Sequence, residues 1–184
     1  MRVIAGSAGG IPLIVPKCGV RPTMDRVKAA IFSSLAGQVV GAHVLDLFAG
    51  SGALGIEALS RGAASALFVD QDRQSLAAIE KNLAKTKLAG RVRQQDVFEF
   101  LKRTATPENF GLIFADPPYE KTKSGERFTE KLLASEMLPR LLEANGIFIL
   151  EKRPAEHFPE TNLWKVTRAK TYGATEVLFL AIES

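Results

Sequence analysis

Sulfur and imidazole are scarce in this chain. A single cysteine, Cys18, excludes an internal disulfide framework, and with only His43 and His157 available no cysteine–histidine metal cluster can be assembled. No bound metal is therefore expected. No apolar run approaches the roughly 20 residues of a membrane span, and Met1-Arg2-Val3-Ile4-Ala5-Gly6 breaks into glycine too early for a signal-peptide core. The expectation is a cytoplasmic, reducing setting with no membrane partner. Net charge is also small, +4, which gives a mild bias toward a polyanionic partner and no more.

What is present describes one globular domain. The 184 residues are 46% hydrophobic and 24% charged, enough to bury a proper core and too few for a second full-sized domain. Residues 1–184 are read as one unit, with 1–37 a basic N-terminal extension and 38–184 a sheet–helix core. A monomer is expected, because no conspicuous exposed apolar repeat is visible. The charge is unevenly placed. Arg2, Lys17, Arg21, Arg26 and Lys28 stand against the single acid Asp25 in residues 1–35, while the 19 basic and 19 acidic residues that follow cancel.

Within the extension, Val3-Ile4-Ala5 and Ile11-Pro12-Leu13-Ile14-Val15 flank a glycine-rich stretch, which suggests a small hairpin or flap. Thr23 then reads as the N-cap of a helix that ends by Gly37. From His43 onward, short apolar runs alternate with helical patterns. Val44–Phe48, Ala66–Val69, the neighbourhood of Val92, Leu112–Ala115 and Ile147–Leu150 read as strands. Gly52–Arg61, Gln71–Thr86, Val97–Arg103 and Thr129–Glu143 read as helices. This alternation predicts an α/β fold, a doubly wound and mostly parallel sheet covered on both faces. After Leu150 the alternation stops, and Trp164–Tyr172 with Thr175–Ile182 reads as an antiparallel pair.

The first strand runs into Asp46-Leu47-Phe48-Ala49-Gly50-Ser51-Gly52-Ala53-Leu54-Gly55, whose glycines satisfy the G-x-G-x-x-G spacing. One glycine permits a tight turn, one lets backbone approach a ligand, and one lets the helix pack closely on the strand. Asp70 ends the second strand, where an acid can accept from ribose hydroxyls. Asp96 ends the third, where it is equally suited to cap the following helix or to accept from an adenine amino group. Asp46 lies on the strand before the first glycine, a position suited to an ammonium or a water near the methionine part of S-adenosylmethionine. Neither histidine occupies a strand end, so a nicotinamide dehydrogenase lacks its hydride-transfer constellation.

The fourth strand delivers Asp116-Pro117-Pro118-Tyr119 to the carboxyl edge of the sheet. An exocyclic amino nitrogen of a base is a poor nucleophile, and it becomes positive as it attacks a methyl sulfonium. The Asp116 carboxylate and the Pro117 carbonyl can both accept from it, which orients the lone pair and stabilises that charge. Tyr119 can stack on the extracted base.

These residues resemble class I S-adenosylmethionine-dependent methyltransferases that modify amino nitrogens. More narrowly, Arg2-Val3-Ile4-Ala5-Gly6, Arg21-Pro22-Thr23-Met24-Asp25-Arg26-Val27-Lys28 and Tyr172-Gly173-Ala174-Thr175 resemble the RsmD family of bacterial ribosomal RNA guanine-N2 methyltransferases. The resemblance implies a seven-stranded sheet with its last strand reversed and methyl transfer to one guanine of small-subunit ribosomal RNA, within an assembling ribosomal subunit. By motif it also implies that Ala49, Gly50 and Gly52 line the cofactor, Asp70 holds its ribose and Asp96 with the Val97 amide holds adenine. Thr23 and Arg26 would lie near the methionine end, and Arg2, Lys17 and Arg21 on the RNA. Asp70 stands where many relatives carry Glu. Two alternatives use the same motifs: a DNA adenine-N6 methyltransferase, for which no target-recognition insertion fits, and a non-catalytic RNA-binding assembly factor, for which the intact acid and proline set would be accidental.

Overall fold

The structure is a computed structural model that describes residues 1–16, 25–103, 109–118, 127–154, 156, 158–159 and 161–183. Helix α1 (Asp25–Leu35) and a 3-10 turn (Ala36–Val39) precede the alternating region. There β1 (His43–Leu47), α2 (Ala53–Ser60), β2 (Ser65–Asp70), α3 (Arg73–Thr86), β3 (Arg91–Gln94), α4 (Val97–Arg103) and β4 (Phe110–Ala115) follow one another. Two short helices, α5 (Phe128–Leu133) and α6 (Met137–Leu141), lead to β5 (Leu142–Lys152), and the chain closes with β6 (Trp164–Tyr172) and β7 (Thr175–Ile182).

The strands form one seven-stranded sheet in the order β3-β2-β1-β4-β5-β7-β6. β1 to β5 pair in parallel, and β7 inserts antiparallel between β5 and β6. The last strand is thus the reversed one. Strand side chains alternate between faces, so each central strand feeds two cores. Val44, Phe68, Leu112, Phe114 and Ile149 meet α1, α2, α3 and the N-terminal hairpin on one face. Leu45, Val69, Ile113, Ala115, Phe148 and Leu150 meet α4, α5 and α6 on the other.

One expected helix is broken. The pattern over Thr129–Glu143 predicts one helix, but α5 stops at Leu133, α6 runs only from Met137 to Leu141, and Leu142 already pairs with Phe110 in the sheet. Pro139 is the physical reason, since proline lacks an N–H and is tolerated only in the first turn of a helix. The cap assigned to Thr23 lies outside the described residues.

The N-terminal segment is not a loose flap. Val3 and Ile11 are joined by backbone bonds, Val3 N–H to Ile11 O at 2.9 Å and Gly10 N–H to Val3 O at 2.8 Å, and Val3, Ala8 and Leu13 sit in the first core. Its fastening is a buried carboxylate on α2. All eight residues of α2 are buried, Glu57 among them with no exposed surface. Glu57 accepts from Ile4 N–H (2.7 Å), Ala5 N–H (3.1 Å) and Arg61 Nε (2.7 Å), and lies 3.4 Å from Lys28 Nζ. Lys28 is fully buried as well and donates to Arg2 O at 2.6 Å. Burial lowers its pKa, against the opposing pull of Glu57 and Asp25. Ser60, one turn on, donates to Ala5 O and accepts from Ala8 N–H.

Lys28 therefore adds nothing to the exposed charge of the basic extension; its ammonium lies inside the protein. Truncating one partner of a buried ion pair leaves the other charge uncompensated, so Glu57→Ala is expected to destabilise the fold by about 3–5 kcal/mol. Urea unfolding checks this, with the paired change Lys28→Met, Glu57→Leu expected to lose less than Glu57→Ala.

Candidate functional site

The carboxyl ends of β1, β2 and β4 bring three acids around the glycine loop. The loop leaves β1 through Phe48, held in the left-handed region at φ 55°, and turns at Gly50 and Gly52, whose φ of 55° and 74° suit glycine. At Gly52 an added Cβ would lie 3.2 Å from Ile56, Ile79 and Phe68 side-chain atoms. At Gly55 it would fall 2.3 Å from the Phe68 ring. The third glycine of the motif thus does what its spacing suggests: it lets α2 close onto the sheet.

Asp46 is buried and accepts from Gly55 N–H through Oδ2 at 2.9 Å. Burial pushes its carboxyl up to about 8; the Gly55 bond opposes this, while the charges of Asp116 and Asp70 add to it. Asp70 is half-buried and bridges the site's backbone, accepting from Gly50 N–H (2.8 Å) and Asp72 N–H (2.8 Å). Its carboxyl is also raised, chiefly by burial, against those backbone bonds. Each Asp70 oxygen has a second lone pair and can still receive a hydroxyl. Ala49 is buried beside β2, with its N–H on Val69 O at 3.2 Å.

Asp96 caps α4, accepting from Phe98 N–H (2.9 Å) and Glu99 N–H (3.0 Å), both through Oδ1. The capping alternative is thus realised, and Oδ2 takes no part in it. Val97, the first residue of α4, is buried. Asp116 is half-buried at the end of β4, Pro117 is buried and Pro118 exposed. The proline pair stops the ladder there because neither residue can donate to it.

Arg26 is exposed on α1. Arg2 is exposed too, but its backbone N–H donates to Asp25 Oδ1 at 3.2 Å and its guanidinium lies 3.8 Å from Oδ2. Lys17, Arg21, Thr23 and Tyr119 lie outside the described residues.

Sequence reasoning missed the residue that ties the extension to the loop. Asn82 on α3 is fully buried; its Nδ2 donates to Ser51 O in the glycine loop and to Ile14 O, both at 2.9 Å, and its Oδ1 accepts from Ile14 N–H at 2.7 Å. The available signal was an amide on the apolar stripe of a helix, just as the signal for Glu57 was an acid in an otherwise apolar helix. Buried polar groups of this kind need partners.

The residues present suit S-adenosylmethionine. A glycine cradle admits backbone close to a ligand, and a buried, reluctantly ionised Asp46 beside it gains from any cation that arrives. Asp70 supplies acceptors for a diol.

Comparison with known proteins points the same way. The model of a family described as conserved hypothetical protein 95 matches residues 1–181. YlbH of Bacillus subtilis (strain 168) is 40% identical over 182 residues, 96% of each chain. Ribosomal RNA small subunit methyltransferase D of Escherichia coli (strain K12) is 45% identical over 123 residues, 66% of this chain and 61% of that protein. Among solved structures, yhhF of Escherichia coli superposes with a TM-score of 0.80 at 34% identity, over 100% of this chain and 98% of that one. The fold alone is shared with a Thermus thermophilus 16S rRNA N2 methyltransferase in complex with AdoMet and guanosine, at TM-score 0.68 and 21% identity, over 92% of this chain and 45% of that one.

The raised Asp46 carboxyl fixes a sign. A group whose folded pKa exceeds its unfolded value stabilises the fold at low pH and costs stability as pH rises toward the folded value. Between about pH 4, the ordinary carboxylate range, and about 8, Asp46 should therefore penalise the ligand-free protein progressively. Asp46→Asn is expected to melt higher than the parent at pH 8, with the gap narrowing by pH 5, in thermal scans without cofactor.

Proposed function

Since the chain belongs to the RsmD family of small-subunit ribosomal RNA methyltransferases, whose model is described as conserved hypothetical protein 95, we propose that it methylates the N2 amino group of a guanine in small-subunit ribosomal RNA. Asp116 and Pro117 would receive that amino group. The observation that carries the reading is the convergence of Asp46, Asp70 and Asp116 on one glycine loop, close enough that the other two charges raise the first carboxyl. When bound, S-adenosylmethionine supplies an electrophilic methyl group on a sulfonium.

The chain's own residues do the rest. Backbone at Ala49, Gly50 and Gly52 lines the cofactor, Asp70 holds the ribose hydroxyls, and the free Oδ2 of Asp96 with the Val97 amide holds adenine. Asp46 would face the cationic methionine end, and the family motif assigns Thr23 and Arg26 to that same end. The Asp116 carboxylate and the Pro117 carbonyl accept from the amino group, so positive charge developing on nitrogen meets acceptors already in place. Full deprotonation before attack is unnecessary, because the proton leaves more easily once nitrogen is cationic. The rigid proline pair holds these acceptors without reorganisation, and Tyr119 stacks on the extracted base.

Residues 1–184 act as one monomeric unit on RNA within an assembling small subunit in the cytoplasm. Arg2, Lys17 and Arg21 contribute to the grip. Among the described residues no helix is long and apolar enough to cross a membrane.

Asp116→Ala should lower methyl transfer by about 100-fold or more while cofactor affinity by calorimetry stays near the parent value. Equal loss of cofactor binding would move Asp116 out of the base site. Asp70→Ala should weaken cofactor binding about tenfold or more, the loss of a charge-assisted hydrogen bond. Digestion of the methylated RNA should yield N2-methylguanosine, and N6-methyladenosine in its place would reject the guanine assignment.

A further inference from the structure

We infer that the α1-side face of the edge strand β6 is a second RNA-contacting surface, a ladder of Lys165, Arg168 and Lys170 that grips phosphates beyond the methyl-transfer edge; this rests on the RNA reading above. β6 is the edge strand of the sheet, and its residues from 165 to 171 are all exposed. It carries three cations and no acid in nine residues. Overall charge balance conceals this, because acids elsewhere in the chain cancel the sum.

Register puts the three on one side. Lys165, Arg168 and Lys170 lie opposite Ala181, Phe179 and Val177, which alternate along β7 and so share a face. Phe179 and Val177 belong to the core that α1 and the N-terminal hairpin cover. Lys165 and Arg168 are three residues apart and would point to opposite faces of a regular strand. The register shift between Val166 and Arg168 brings them together, with Thr167 Oγ1 donating to Phe179 O at 3.0 Å within it.

Two rungs of the ladder, Arg168 and Lys170, are held by neutral groups. Lys170 Nζ donates to Ser34 Oγ at 3.2 Å, Arg168 Nη1 lies 3.5 Å from Ser34 O, and the Arg168 guanidinium sits 5.8 Å from the Phe179 ring centroid. Among the described residues none of the three has a carboxylate within salt-bridge distance. Glu176, the acid on β7, is turned to Lys152 at 2.7 Å. The positive charge is therefore oriented and uncancelled, as an anionic backbone requires.

Direction matters too. β6 is antiparallel to β7 and β7 to β5, so β6 runs parallel to β4 and its Lys170 end lies at the same sheet edge as Asp116. Three strand spacings separate them, roughly 14 Å. A chain whose guanine reaches Asp116 can lay its flanking phosphates along the ladder. The competing explanation is that edge-strand lysines block sheet-to-sheet pairing. Such protection needs charge on the edge but no common face.

The test is binding of the full chain to a small-subunit ribosomal RNA fragment over a range of salt concentrations. Lys165→Gln, Arg168→Gln and Lys170→Gln together should weaken binding and flatten the slope of log affinity against log salt by about 2 to 3, at about 0.7–0.9 per phosphate contact. Each single change should give about a third of that, which keeps the test decisive if the triple variant folds poorly. Swapping the cations, Lys165→Arg, Arg168→Lys and Lys170→Arg, should preserve the slope. A slope unchanged in the neutralised variants overturns the surface, and so does a variant that only aggregates more readily. If the parent chain binds the fragment with no salt dependence, the RNA reading itself fails and the ladder with it.

Discussion

One buried carboxylate holds the N-terminal segment to the helix that the glycine loop opens. Glu57 is surrounded by four donors: the amides of Ile4 and Ala5, the ammonium of Lys28 and the guanidinium of Arg61. Taking a carboxylate out of water costs several kcal/mol unless its partners are well placed. Here they come from the N-terminal hairpin, from α1 and from α2 itself. Because α2 is also the helix that the glycine loop opens, the extension and the cofactor loop share one anchor. Asn82 adds a second tie, bonding Ile14 on one side and Ser51 on the other. A disturbance in the extension is therefore mechanically connected to the loop.

The sheet edge poses the opposite electrostatic problem. Asp46, Asp70 and Asp116 crowd one region, and burial raises both Asp46 and Asp70. Such a site holds unfavourable energy until cationic or hydrogen-donating groups arrive. A sulfonium, a ribose diol and a base amino group are all of that kind, in keeping with the roles proposed for these acids. The same logic, with sign reversed, applies to Arg168 and Lys170 of β6, which rest on neutral acceptors and are proposed to receive phosphates.

Much of this was legible in residue order. The strand runs, the glycine spacing and the turn at Tyr172-Gly173-Ala174 appear where the apolar pattern and turn chemistry put them. Their signals are local: period, β-branched runs and special φ. Thr129–Glu143 carries a helical period yet holds two helices and a strand start, because a proline can sit in the first turn of a new helix as easily as end an old one, and Leu142 joins the sheet only because Phe110 lies beside it. The charge count misled in a related way. Lys28 counts like any other lysine until α2 packs over it, and the three cations of β6 vanish into a balanced total.

By itself, the order of residues determined the alternation of strands and helices, the loop that turns from β1 into α2, and the acids and prolines at strand ends, because backbone sterics and hydrophobic period act over a few neighbours. Tertiary structure alone decided which charges are spent inside and which face outward. Glu57 meets Ile4 across 53 positions, and Lys170 meets Ser34 across 136. At those separations only the sheet order and its register settle whether a charged side chain finds a partner, water or a substrate.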